Sequence, residues 1–228
     1  MSGTGTDVDG GGFDWRVYID ATLAGLTPLI PIPFLDLVFE RAFRSRMAGS
    51  VAKARGRPLA PDVRERLGRA HEEWLSWSGC LAVPLFLVRY LLKRLWRKVI
   101  YIFAITDAAR SLSLYWHRAY LLDHMLRAGH LDAGTDTDHA ADAFVRTLRE
   151  SDTDSLIFLG RELIKSGHRW VRMLFTARRR GSQTAAGTIG AFLAGHWDVI
   201  EDALRPVVHV YNAVYVAPPR DPGDDPAP

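Results

Sequence analysis

Residues 26–47 read LTPLIPIPFLDLVFERAFRSRM and join two unlike segments. The first carries Pro28, Pro31 and Pro33. Each proline fixes its own backbone and pushes the preceding residue toward extended geometry, so this run is expected to be non-helical. From Phe34 the pattern changes. Leu35, Val38, Phe39, Ala42, Phe43, Met47 and Val51 recur at three- and four-residue spacing, which predicts a helix from Phe34 to Ala54, stopped by Gly56. Asp36 stands at its start, where a carboxylate holds free N–H groups. An uncharged, proline-punctuated entry therefore runs directly into a helix studded with Arg41, Arg44 and Arg46.

The same helical signals extend in both directions. Toward the N-terminus, Asp14 or a neighbour caps a short helix through Leu26, ended by Thr27-Pro28. Toward the C-terminus, Pro61 fits a first helical turn, with Leu67, Ala70, Trp74 and Trp77 on one face before Gly79 and Pro84. Residues 85–129 keep a helical pattern, with a split expected near Ala104–Asp107. Thr137 or Asp138 is expected to cap a helix over His139–Arg149, and SDTDS (151–155) to open one reaching Arg179. A Gly/Ala-rich helix, Ala185–Trp197, and an apolar segment, Val199–Val216, complete the chain. Strand signals are nearly absent. The expectation is an all-α fold, a single bundle of about seven to nine helices over residues 13–217, between disordered tails at 1–12 and 218–228.

Composition bounds the function. With 228 residues and 48% hydrophobic content, the chain has enough apolar area for one substantial core. The single cysteine, Cys80, excludes an internal disulfide and a cysteine zinc cluster. The start lacks the basic and apolar regions of a secretory signal, so cytoplasmic residence is expected. No run reaches 18 consecutive apolar residues, which disfavours a clean membrane span without excluding one, and Leu81–Ala104 and Ser182–Val216 leave insertion into a bilayer open.

Motifs for chemistry are sparse. His117 and His124 lie seven residues apart, roughly 10 Å along a helix, which is too far to share one ion comfortably. Asp132–Asp142 departs from a calcium loop in its glycine and twelfth-position acid. Gly187–Gly195 has no phosphate-loop lysine; its small residues Ala186, Gly187, Gly190, Ala191, Ala194 and Gly195 instead permit close helix approach. No metal and no cofactor is expected. Asp107, Arg110, His117 and His124 are the best candidates for an enzyme acting on a lipid or apolar substrate, provided that they converge on a pocket.

Basic patches are the strongest signal. Arginine dominates, 25 Arg against 4 Lys. Between Arg41 and Arg69 there are nine basic residues and two acids, between Arg89 and Lys98 five and none, and between Arg161 and Arg180 seven and one. In LVRYLLKRLWRKVIYIF, Arg89, Lys93 and Arg97 align at four-residue spacing beside Arg94 and Lys98, opposite a row of aliphatic residues. Tyr90, Trp96 and Tyr101 fall at the seam, as in helices lying at a membrane interface. The same charges could contact nucleic acid, but no nucleic-acid-binding signature accompanies them.

PIPFLDLVFERAFRSRMAGSVAKARGRPLAP resembles the YcjF-like, GTPase-associated membrane domains, with Pro31, Pro33, Asp36, Met47, Gly56 and Leu59 filling the pattern. EcsC-like proteins share a related pattern, and KVIYIFAITDAARSLSLYWHRAYLL is similar to their second apolar half. The resemblance spans about residues 26–125 and implies membrane association of undefined biochemical role, without catalytic residues. This chain departs from it by inserting Arg89, Lys93, Arg94, Arg97 and Lys98 where those families are more continuously apolar.

The sequence thus predicts a non-enzymatic helical domain at a membrane surface or in an adaptor role, peripheral to the inner face of the membrane. Arg41, Arg44, Arg46, Arg89, Lys93, Arg94, Arg97 and Lys98 would meet an anionic membrane or an acidic protein partner. Pro31, Ile32, Pro33, Phe34 and Trp96 would form the apolar docking element. An enzyme acting on a lipid or apolar substrate and a structural homo-oligomerisation module are the alternatives.

Overall fold

The computed structural model describes residues 14–30, 35–69, 97–166 and 183–216. Among these residues the protein is an all-α bundle with no strand. The helices are α1 (Ile19–Gly25), α2 (Leu35–Ala54), α3 (Pro61–Arg69), α4 (Arg97–Ala128), α5 (Thr137–Glu150), α6 (Ile157–Ser166), α7 (Gln183–Gly195) and α8 (Trp197–Val216). Among the described residues, no helix is long and apolar enough to cross a membrane.

Local chemistry accounts for most boundaries. Asp14 accepts a hydrogen bond from Arg16 N at 3.0 Å and starts a 3-10 turn, Trp15–Tyr18, which feeds α1. A second such turn, Thr27–Leu29, takes Pro28 into its first positions, so this proline is helical where the sequence suggested extended chain. A proline fits there because the first N–H groups of a turn need no internal partner. Gly56 and Gly129, with φ of 66° and 78°, end α2 and α4. At each end the residue after the glycine donates back into the helix, Arg57 N to Ala52 O and His130 N to Met125 O, the left-handed closure that glycine permits without strain.

Two boundaries differ from expectation. Helix α4 runs unbroken through Ala104–Asp107 for 32 residues, about 48 Å at helical rise. Residues 97–128 contain neither glycine nor proline, and the polar Asp107 simply faces solvent. The cap of α5 is Asp136, not Thr137 or Asp138; its carboxylate accepts from His139 N at 3.0 Å. The predicted continuations through Trp74 and Trp77, over residues 85–96 and on to Arg179, together with Cys80 and both tails, lie outside the described residues.

Helix α4 is the hub. Helix α1 packs on α4 and α2, α6 lies along α4, and α8 packs on α5 and α4. From Ala108 to Leu126, α4 is buried on nearly every side, with Leu112, Tyr115, Trp116, Ala119, Leu122 and Met125 in the core. Two glycines let its neighbours come close. A Cβ on Gly25 would sit 2.5 Å from Leu112 Cα, and one on Gly160 would sit 3.0 Å from Ala109 O. Of the Gly/Ala stripe of α7, Gly190 makes the predicted close approach, against Trp15, whereas Gly187, Ala191, Ala194 and Gly195 are exposed. In α2 the inward face is Phe39, Phe43, Met47, Ala48, Val51 and Ala52, while Val38 is 49% exposed and Ala42 faces out.

Replacing Gly25 with Ala forces the α1 and α4 backbones apart and should lower stability by about 1–3 kcal/mol, as overpacking does. Gly187→Ala, with nothing within 4 Å of the new methyl, should instead be neutral or stabilising by up to about 1 kcal/mol. Thermal melting of the two variants beside the parent protein checks the contrast.

Candidate functional site

A buried helix needs partners for its polar groups, and α4 finds most of them on its neighbours, with Arg118 Nε left unpaired. Trp116 Nε1 donates to Thr22 Oγ1 on α1 at 2.9 Å. Tyr115 donates to Glu40 on α2 at 2.5 Å, and burial together with the Glu40 charge pushes its phenol above the ordinary range. Arg118 donates to Leu67 O on α3 at 3.1 Å and lies over the Phe144 ring of α5. Burial pulls its guanidinium down to about 10. Asp123 receives both Arg55, at 2.5 and 2.9 Å, and Arg127 one turn further along α4.

Where α4 emerges from this core it meets α8. The buried face of α8, Ile200, Leu204, Val207, Tyr211 and Val214, recurs at three- and four-residue spacing and docks on α5 and α4. Its bordering residues Arg205, Val208 and His209 face Tyr120, His124 and Arg127 of α4 across a cleft of about 190 Å³. These six residues line the cleft, which therefore presents two guanidiniums, two imidazoles and a phenol, and no carboxylate. Asp123 fixes Arg127 from within, with its Nε donating at 2.9 Å, and Arg205 is steadied by Asp202 at 3.3 Å. His124 Nε2 donates to Asn212 Oδ1 at 3.1 Å and meets the edge of the Tyr211 ring. Burial, then the Glu201 charge, raises the Tyr120 phenol above its ordinary value and keeps it protonated.

An aromatic clasp holds the far end of α8. His130 stacks on Tyr215 with centroids 4.0 Å apart and lies 3.0 Å, through Nδ1, from the Tyr211 hydroxyl. His139 Nε2 donates to Tyr215 O at 2.8 Å. Burial, reinforced by His124, lowers the His130 imidazole from its ordinary value.

The residues predicted to dock fall into four groups. Arg41 and Arg46 are exposed, and Arg46 reaches Asp20 at 3.5 Å. Arg44 is a correction: it is only 8% exposed and turned toward Glu40, so its charge is directed inward and cannot meet an external surface. Arg97 and Lys98 stand in the first turn of α4. Arg89, Lys93, Arg94, Trp96, Pro31, Ile32, Pro33 and Phe34 lie outside the described residues.

Asp107, Arg110, His117 and His124 do not come together. Asp107 and Arg110 are exposed on α4, His124 faces α8, and His117 is buried toward the α5–α6 connection. No group of three or more metal-ligating side chains stands together among the described residues. The α4–α8 cleft was missed in sequence because its residues are some 80 positions apart; the only local trace is the one-face spacing of 120, 124 and 127 and of 205, 208 and 209. No protein family, curated protein or solved structure was found to match the chain, so the resemblance of residues 26–125 rests on its motif residues alone.

Two outcomes check this arrangement. Asp123→Ala removes the partner of Arg55 and Arg127 and should destabilise the fold by about 3 kcal/mol, the low end for a buried pair broken on one side because Arg55 remains partly solvated; chemical denaturation measures it. His117 and His130 are both lowered by burial, so folding favours their neutral forms. That stability is present above the ordinary histidine range and is lost as pH falls through the lowered folded values. Melting temperature should therefore drop below about pH 6.5, and His117→Asn should flatten the drop.

Proposed function

We propose that this protein is a helical docking module that seats on anionic membrane headgroups, with the α4–α8 cleft taking a phosphate. The observation that carries this reading is the convergence of Arg127, Arg205, His124 and His209 on one cleft whose lining holds no carboxylate. Arginine presents a planar fork suited to phosphate oxygens, and the Asp123 bond already holds Arg127 in place, which reduces the ordering cost on binding. Exposed Arg41, Arg46 and Lys53 on α2 add cationic surface, and the Arg89–Lys98 segment adds five more basic residues. Each basic residue close to an anionic leaflet contributes about 1 kcal/mol, screened beyond about 10 Å at ordinary salt.

Co-sedimentation with vesicles tests the proposal. The protein should pellet with vesicles rich in phosphatidic acid, remain in solution with pure phosphatidylcholine, and be released by raised salt. Arg205→Glu should weaken binding roughly tenfold, for about 1–2 kcal/mol of lost attraction. Reversing Lys93, Arg94 and Arg97 to Glu should weaken it further, with the melting temperature of both variants nearly unchanged. Vesicle binding that is absent, or insensitive to salt and to both reversals, overturns the reading.

A further inference from the structure

The buried His117, left without a role by the docking reading, faces a serine. Its Nδ1 lies 2.8 Å from the Ser113 carbonyl; a carbonyl only accepts, so Nδ1 carries the proton and Nε2 presents its lone pair. Nε2 in turn lies 3.4 Å from Ser155 Oγ, in the connection between α5 and α6. That connection is pinned. Ser113 Oγ donates to Thr153 O and accepts from Leu156 N at 3.2 Å. Asp154 N donates to Asp152 Oδ1 at 2.9 Å, and Gly160 presses α6 onto Ala109 of α4. Ser155 is thus held over the imidazole by contacts on both sides of it.

The two residues differ in access as a nucleophile and its base do. His117 is 1% exposed, whereas Ser155 is exposed and lines an open cleft of about 610 Å³ along α6. Ile157 and Phe158 line the same cleft, and Phe158 is 57% exposed, the most exposed large apolar side chain in that region. Arg161 and Lys165 follow on α6 with Glu162 between them. The cleft therefore offers an apolar wall, two cations, the carboxylates of Asp154 and Glu162, and an exposed hydroxyl 3.4 Å from an imidazole nitrogen.

We propose that Ser155 and His117 form a nucleophile–base dyad that hydrolyses esters of apolar acyl chains. The acyl chain lies against Ile157 and Phe158, and Arg161 and Lys165 place positive charge in the cleft where the oxyanion develops. Ser155 Oγ attacks the ester carbonyl carbon as its proton passes to His117 Nε2. The tetrahedral intermediate collapses with cleavage of the ester C–O bond, and the leaving alkoxide takes the proton from Nε2 and departs as an alcohol. Water then attacks the acyl-serine, giving its proton to Nε2. Collapse frees the carboxylic acid and returns the proton to Ser155. The sum is ester plus water to acid plus alcohol. The Ser113 carbonyl orients the base, the role that a carboxylate fills in a triad, and Asp152 favours the imidazolium. The 3.4 Å separation suits a dyad that tightens when substrate excludes water.

A fluorophosphonate probe on the full chain tests the dyad without lipid, so its result is independent of headgroup docking. Peptide mapping should place the adduct on Ser155. Labelling should rise with pH below neutrality as His117 loses its proton, in the field of Asp152 from the connection and of Asp154, Arg161, Glu162 and Lys165 around the cleft, and then level off. Ser155→Ala, an exposed change that leaves the fold intact, should abolish the adduct and slow hydrolysis of p-nitrophenyl butyrate roughly a hundredfold or more. Folded protein that gains no adduct at Ser155, or that hydrolyses the ester equally fast as Ser155→Ala, overturns the proposal.

Discussion

Between Ala108 and Leu126, helix α4 is enclosed by α1, α2, α6 and α8, and it carries Ser113, His117, Arg118 and Asp123 into that enclosure. An unpaired buried polar group costs on the order of 1–3 kcal/mol, more when it is charged. The neighbours are therefore selected for partners as well as for apolar faces. Thr22 reaches α4 from α1, Glu40 from α2, Arg55 from the turn that ends α2, and the Leu67 carbonyl from α3. Their geometry fixes how α1, α2 and α3 sit on it. The backbone approaches at Gly25 and Gly160 complete this constraint, because any side chain there would displace the donors and acceptors as well.

Both proposed sites are extensions of that enclosure. Asp123 holds Arg55 to the hub on one side, and on the other it sets Arg127 at the mouth of the α4–α8 cleft. Ser113 ties the α5–α6 connection to α4 with its hydroxyl while its carbonyl fixes the His117 tautomer. The functional groups are thus held by bonds that stabilise the fold. Side chains positioned in this way lose little further freedom on binding a ligand.

Arginine in this chain has two uses that sequence does not separate. Arg41, Arg44 and Arg46 share one helix within six residues, yet Arg44 lies inside against Glu40 while the other two are exposed. Helical period alone puts Arg44 beside Phe43 and Met47, at the edge of the apolar face. Inside, it lies 3.9 Å from Glu40 one turn earlier, which also accepts from Tyr115. A similar ambiguity applies to Val38, which fits the apolar spacing but is half exposed.

The helical class, the extent of α2 and its stop at Gly56 were legible in the residues alone. Each of these follows from interactions within a few residues: side-chain period, left-handed closure and proline geometry. Sequence alone misplaced the cap of α5 among adjacent acids and placed a break in α4 where Thr106 and Asp107 continue the helix. Helix packing brings Ser155 to His117, 38 residues away, sets Arg127 opposite Arg205 across a cleft, and gives Gly25 rather than the Gly/Ala stripe of α7 the closest helix approach on the hub. Such pairings depend on how whole helices stack, and stacking is set by the summed burial and polar pairing of all their faces at once. No local spacing encodes that sum.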